Sequence, residues 1–136
     1  MSGTPERDDY VLMPADPCTR VVLADRAGAA RAALARLIHD LAGAALVADV
    51  ENAADARRAI EAGAADILVI DDRLLRDTQW TAAELGVRLI VVGLDDDPGF
   101  RARAERLGAE CWVAKERADA VLPALLPAGP RVSRLC

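Results

Sequence analysis

Reactive side chains follow three short apolar runs of the sequence. Asp25 comes directly after VVLA, and the pair Asp71 and Asp72 comes after ILVI. Lys115 comes after CWVA, and it is the sole lysine among 17 basic residues, the others being arginine. Carboxylate oxygens suit a hard cation such as Mg²⁺, and an ammonium group is a compact positive charge for an anion such as phosphate. Brought together, these groups would form a site for phosphate chemistry.

The apolar runs belong to a repeated alternation of strand and helix. Five short runs without polar alternation indicate strands buried on both faces, at 21–24, 45–50, 67–70, 89–92 and 111–114. Segments with helical periodicity follow them, at 29–41, 54–62, within 78–85, 98–107 and 120–126. Asp97 before Pro98 is typical of a helix N-cap followed by proline at the first helical position.

Five strand–helix units predict an α/β fold with one open, doubly wound parallel sheet. A closed barrel would need about eight such units. In an open parallel sheet, ligands bind beyond the carboxyl ends of the strands. Asp25, Asp71 and Lys115 each end a strand, so we expect them to converge at one edge of the sheet.

Composition limits the function classes. The 136 residues suit one domain, and we predict a polar N-terminal arm at 1–18, the domain at 19–127 and a C-terminal tail at 128–136. A net charge of −5 argues against a nucleic-acid-binding surface. No apolar stretch of about 18 residues predicts a membrane span, and the first residues do not form a signal peptide, so a cytoplasmic location is expected.

Catalytic and metal-binding motifs are missing from the sequence. It contains no GxGxxG, GxxxxGK[ST] or GxSxG, which argues against a nucleotide-dependent enzyme or a serine hydrolase. Cys18, Cys111 and Cys136 are too widely spaced for a metal site of the CxxC type, and their odd number argues against a disulfide framework. We therefore predict a protein that is not an enzyme.

Three segments of the chain resemble the receiver domains of bacterial response regulators. They are VVLAD at 21–25, DILVIDDRL at 66–74 and LGAECWVAKE at 107–116. The resemblance implies a flavodoxin-like topology with strand order 2-1-3-4-5. It also implies a signalling role in a two-component or phosphorelay pathway, with a histidine kinase or another signalling protein as the partner.

The resemblance also assigns roles to individual residues. Asp71 falls at the phosphoacceptor position, Asp25 is one of the acidic pair, and Lys115 is the lysine that reaches the acyl phosphate. Mg²⁺ would bind through Asp25 and Asp71. Trp112, three residues before the lysine, occupies the place of the family's switching aromatic residue, which is usually Tyr or Phe.

Several positions depart from the family's pattern. Arg26 replaces the second acid, which is a direct Mg²⁺ ligand in the family, and Gly93 replaces the Thr or Ser that senses the phosphoryl group. The segment from Asp71 to Gly93 is shorter than usual, which implies a truncated third helix. We predict that Arg26 forms an ion pair with Asp71 and substitutes for the metal, in a pocket that also contains Asp72.

Two functional hypotheses remain. The chain is a receiver module that signals by phosphorylation of Asp71 and by partner binding, or it is a phosphorylation-independent pseudo-receiver controlled by dimerisation, partner docking or a small ligand. The residues after Leu126 are too few for a helix-turn-helix, so we expect no nucleic-acid binding by this chain itself. It is then either a single-domain protein or a receiver cut from a longer regulator.

Overall fold

Five parallel strands form one sheet with the order β2-β1-β3-β4-β5 in a computed structural model, which describes residues 19–94 and 97–126. The strands are β1 (Thr19–Ala24), β2 (Ala44–Val50), β3 (Ile67–Asp71), β4 (Arg88–Gly93) and β5 (Ala109–Ala114). The helices are α1 (Gly28–His39), α2 (Ala53–Gly63), α3 (Ala82–Leu85), α4 (Pro98–Arg106) and α5 (Ala118–Leu125). The predicted doubly wound fold and its strand order are confirmed. The predicted arm at 1–18 and tail at 128–136 lie outside the described residues.

Alternate residues of the central strands pack into two separate cores. Val22 and Leu68 face a core that contains side chains of α2, α3 and α4. Their neighbours Val21 and Ile67 face a second core, formed with α1 and α5. Every residue of β3 is buried, as expected for a strand covered by helices on both sides. This double burial holds the strand ends, and the polar residues that follow them, in fixed positions.

The connection after β3 differs from the predicted one. Residues Asp72–Asp77 form a 3₁₀ helix that the sequence pattern did not predict, and α3 is reduced to four residues. The truncation of the third helix is therefore confirmed. A capping box closes the start of α3, in which the Thr81 side chain accepts from the backbone N–H of Glu84 and the Glu84 side chain accepts from that of Thr81.

Two helix ends differ from expectation, and one start agrees with it. Helix α1 ends at His39, before Leu41, and α2 includes Gly63 and ends with Ala64 in the left-handed conformation at φ 54°. Asp97 caps α4 by accepting from the backbone N–H of Gly99, with proline at the first helical position, as predicted. None of the helices formed by the described residues is long and apolar enough to cross a membrane.

Candidate functional site

Asp25, Asp71 and Lys115 meet at the carboxyl edge of the sheet, as the sequence predicted. Strands β1 and β3 are hydrogen-bonded neighbours, and Ala24 pairs with Ile70, so the two aspartates that follow lie side by side. The Lys115 Nζ atom lies 2.7 Å from Asp25 Oδ2 and 2.9 Å from Asp71 Oδ2. The three side chains are almost completely buried, with exposed fractions of 0% for Asp25, 4% for Asp71 and 9% for Lys115. One ammonium group therefore bridges two buried carboxylates.

The backbone holds the outer oxygens of both carboxylates. Asp71 Oδ1 accepts from the backbone N–H of Arg73 at 2.9 Å, which caps the 3₁₀ helix. Asp25 Oδ1 accepts from the backbone N–H of Ala27 at 2.9 Å. The contact of Lys115 with Asp25 is an ion pair without hydrogen-bond alignment, whereas its contact with Asp71 is a hydrogen bond. All four carboxylate oxygens thus have a partner within the chain.

Burial and charge pairing act against each other on the pKa values of the three groups. Burial raises the pKa of Asp25, and the Lys115 ammonium offsets this only in part. Burial also opposes ionisation of Asp71, but the N–H of Arg73 and the Lys115 ammonium outweigh it and lower the pKa of Asp71. The same carboxylates raise the pKa of Lys115 despite its burial. The Asp71–Lys115 pair is therefore ionised at neutral pH.

The predicted ion pair between Arg26 and Asp71 is wrong. Within the described residues, the cation paired with Asp71 is Lys115, and Arg26 is exposed to solvent. Lys115 follows β5, and its buried side chain contacts both carboxylates, whereas Arg26 stays exposed to solvent. Arg26 lines the mouth of the pocket, a cavity of about 290 Å³ that also touches Ala27, Asp71 and Arg73.

Arg31 contacts the backbone beside the pocket, although no sequence pattern indicated it. It lies on α1, and its Nε atom is 2.9 Å from Asp49 Oδ1 while an Nη atom is 3.2 Å from Glu51 Oε2. The same Nη atom donates a long hydrogen bond of 3.4 Å to the backbone oxygen of Asp25. Arg31 thereby connects α1 and the end of β2 to the backbone beside the pocket. The spacing of these residues in the sequence gave no signal for this contact.

Asp72 is buried and faces β5. Its side chain accepts a 3.0 Å hydrogen bond from the indole Nε1 of Trp112. Burial raises the pKa of Asp72 and outweighs the opposing effect of the indole N–H, while the nearby Asp71 raises it further. The sequence placed Asp72 and Trp112 near the pocket but did not predict their bond.

Gly93 lies against this hydrogen bond. A Cβ atom built on it would lie 1.9 Å from Asp72 Oδ2, 2.7 Å from Asp72 Cγ and 2.9 Å from Trp112 Cζ2. Any larger residue at 93 would therefore displace Asp72 or Trp112. Compared with the family's pattern, Gly93 indicates only a lost hydroxyl, but glycine at the end of a buried strand also signals a close approach.

The residues at this edge do not fit a magnesium ion. Mg²⁺ requires near-octahedral oxygen ligands, yet the oxygens of Asp25 and Asp71 are held by Lys115 and by backbone N–H groups. Asp72 is held by Trp112, and Arg26 contributes no oxygen. Among the described residues, no group of three or more His, Cys, Asp or Glu side chains is arranged to bind a metal.

This architecture is that of a receiver domain of response regulators. No family model matches the chain, and no curated protein matches it. Several solved structures match the chain in fold. The signal receiver domain of NarL from Mycobacterium tuberculosis is 23% identical, with a TM-score of 0.68 over 87% of this chain and 100% of that one.

Two further solved structures support the same conclusion about the fold. The isolated REC domain of RcsB from Salmonella enterica serovar Typhimurium is 17% identical, with a TM-score of 0.66 over 86% of this chain and 90% of that one. A chain from a complex of the P1 domain of CheA3 with CheY6 from R. sphaeroides is 21% identical, with a TM-score of 0.64 over 81% and 95%. At these identities the similarity establishes the receiver fold and nothing finer.

Proposed function

We propose that the chain is a receiver-type signalling module that acts by binding another protein and does not turn over a substrate. The observation that supports this function is the buried cluster of Asp25, Asp71 and Lys115 at the carboxyl edge of a receiver fold. A buried cluster of this kind is a weak source of stability. Its position at the ligand-binding edge therefore favours a functional role.

In this proposal Asp71 is the phosphoacceptor. A carboxylate oxygen of Asp71 attacks the phosphorus of a phosphodonor such as a phosphohistidine; the new P–O bond forms as the P–N bond breaks, and the histidine leaves. Lys115 must then release Asp71 Oδ2 and contact the phosphoryl oxygens, which a flexible ammonium group can do. A histidine kinase or another signalling protein is the proposed donor and partner, since one similar chain comes from a complex of CheY6 with the P1 domain of CheA3.

We further propose that the pocket works without Mg²⁺. Lys115 already neutralises part of the charge that a metal would neutralise, and Arg26 and Arg73 add positive charge at the mouth. Electrostatic stabilisation is the main task of a metal in phosphoryl transfer, so cationic side chains can supply part of it.

The second candidate is a phosphorylation-independent pseudo-receiver. It is favoured by one observation, that each carboxylate oxygen of Asp25 and Asp71 already has a partner in the chain. Such a module would be controlled by dimerisation or by a small ligand. Sedimentation at several protein concentrations tests dimerisation, since a mass that stays monomeric at the highest concentration contradicts that form of control.

Treatment with acetyl phosphate followed by intact-mass measurement separates the two candidates. We expect one phosphoryl group on the wild type, none on Asp71→Asn, and the same yield with Mg²⁺ or with a chelator. An adduct that requires Mg²⁺ contradicts the metal-independent pocket. No adduct from acetyl phosphate or from a phosphorylated kinase contradicts the first candidate and favours the pseudo-receiver.

The variant Arg26→Asp tests the metal proposal from the opposite direction. Restoring a carboxylate next to Asp25 supplies a further oxygen ligand, so we expect calorimetry to detect millimolar Mg²⁺ binding in this variant. The wild type and the matched control Arg26→Ala should show none. Saturable binding to the wild type would contradict the proposal.

A further inference from the structure

A hydrogen bond inside the protein connects the pocket to β5. Asp72 follows Asp71 directly, is 2% exposed and accepts from Trp112 Nε1 at 3.0 Å. A hydrogen bond to a buried carboxylate is stronger than one between neutral groups. The hydrogen-bond acceptor that holds the Trp112 indole is therefore the residue directly after Asp71, the proposed phosphoacceptor.

The space around this bond is reserved by Gly93. The carboxylate of Asp72 occupies the volume that a side chain at position 93 would need, with Oδ2 only 1.9 Å from where a Cβ would lie. A hydroxyl at 93 and the Asp72–Trp112 bond are thus mutually exclusive in this backbone. The absence of a side chain at Gly93 leaves the space that the Asp72 carboxylate occupies.

Trp112 also contacts Arg101 on the surface of α4. The guanidinium carbon of Arg101 lies 4.9 Å from the centre of a Trp112 ring, a distance typical of a cation–π contact. Arg101 is exposed, and Trp112 is half-buried. The indole therefore contacts both the buried Asp72 carboxylate and a charged residue on the surface.

We propose that Asp72 is a positioning residue, which holds Trp112 and the Arg101 surface in one arrangement whatever the state of Asp71. The inference rests on the proposed function only for its consequence, which is that a phosphoryl group on Asp71 would not be signalled through Trp112. The bond itself exists independently of any phosphodonor.

Hydrogen exchange of the Trp112 indole N–H, measured by NMR, tests the positioning role. The background Trp80→Phe leaves Trp112 as the sole tryptophan, since the chain has two. We expect a single slowly exchanging indole resonance, and Asp72→Ala should accelerate its exchange about tenfold or more, because a bond to a charged acceptor is lost. Asp72→Asn keeps an acceptor oxygen and should restore most of the protection.

A paired substitution keeps the test valid if Asp72→Ala is poorly folded. Gly93→Ser alone must displace Asp72 and should accelerate indole exchange as strongly as Asp72→Ala. The double variant Asp72→Ala with Gly93→Ser removes the clashing carboxylate, so its urea midpoint should be higher than that of Gly93→Ser alone. Additive losses, or an indole that stays protected in Asp72→Ala, would overturn the assignment.

The last comparison separates this inference from the proposed function. In the Trp80→Phe background, Asp71→Asn and acetyl phosphate-treated protein should show the same indole protection as the untreated protein. Protection that changes with a verified phosphoryl group on Asp71 overturns the inference while supporting the proposed function. If no phosphoryl group is found by mass, the proposed phosphorylation fails, and the Asp72 and Gly93 variants together with Asp71→Asn still decide the inference.

Discussion

The two edges of the same sheet treat charge in opposite ways. At the carboxyl edge, Lys115 and its two aspartates are at most 9% exposed. At the amino edge, Arg88 and Glu110 form a bidentate ion pair at 2.7 Å and 2.8 Å, with side chains 25% and 39% exposed. The amino edge keeps its charges hydrated, whereas the carboxyl edge has removed them from water.

This difference in burial predicts different consequences when each ion pair is lost. An exposed ion pair contributes little to the free energy of unfolding, because water screens the two charges. Buried charges are expensive to desolvate and become strongly destabilising when one partner is removed. The carboxyl edge therefore bears a cost in stability, which is consistent with a function located there.

The largest effect is expected from Lys115→Met, which leaves two buried carboxylates without their cation. We expect the free energy of unfolding at neutral pH to fall by about 3–5 kcal/mol, measured by urea denaturation. Adding Asp25→Asn to this variant should recover part of the loss, because one uncompensated charge is removed. A loss no larger than that of Glu110→Gln would contradict the contrast between the two edges.

The contribution of the Lys115 ion pair should also appear in the pH dependence of the free energy of unfolding. Because the folded pKa of Lys115 is raised above its usual 10.5, the pair contributes fully from neutral pH up to 10.5, and its contribution is lost as the pH rises through the folded value. We expect the urea midpoint of the wild type to fall more steeply than that of Lys115→Met above pH 10.5. Parallel profiles would contradict the ionised pair.

A smaller effect is expected from Glu110→Gln at the amino edge. The pair with Arg88 is partly solvated, so its loss should lower the free energy of unfolding by about 1 kcal/mol or less. Arg88 keeps a hydrogen bond from Nη2 to the backbone oxygen of Leu125 in this variant. Added salt should reduce the difference from the wild type, and an effect that salt leaves unchanged would show that the pair is not solvent-screened.

The smallest effect is expected from Arg26→Ala. Arg26 is exposed, and its ion pair with Asp71 is not formed, so the free energy of unfolding should change by no more than about 0.5 kcal/mol. A loss comparable to that of Lys115→Met, again by urea denaturation, would show that Arg26 shares the neutralisation of the pocket.

The sequence predicted the parts of the molecule that repeat. Apolar runs and helical periodicity located each described strand and α-helix to within a few residues, because a sheet buried on both faces constrains the pattern strongly. Convergence of Asp25, Asp71 and Lys115 followed from the position of strand ends alone. The 3₁₀ helix after Asp71 was missed, since a short turn held by a capping carboxylate has no periodicity to detect.

What the sequence could not predict depended on competition between side chains. From the sequence, both Arg26 and Lys115 could pair with Asp71. In the structure the buried Lys115 side chain forms the pair, and Arg26 stays exposed. Gly93 stands out in the sequence, but the reason for it is a neighbour distant along the chain: Asp72, in the 3₁₀ helix after β3, occupies the space beside it. Spacing along the chain does not show which of two nearby cationic side chains forms the ion pair.

The burial of the chain's sole lysine has a practical consequence for labelling chemistry. Apart from the terminal amino group, an amine-reactive reagent can modify this protein at Lys115 alone, whose side chain is 9% exposed. Acylation can then proceed only through openings of the pocket, so its rate follows the population of the open form when opening and closing are fast. The native protein thus contains a built-in chemical reporter of how often its own pocket opens.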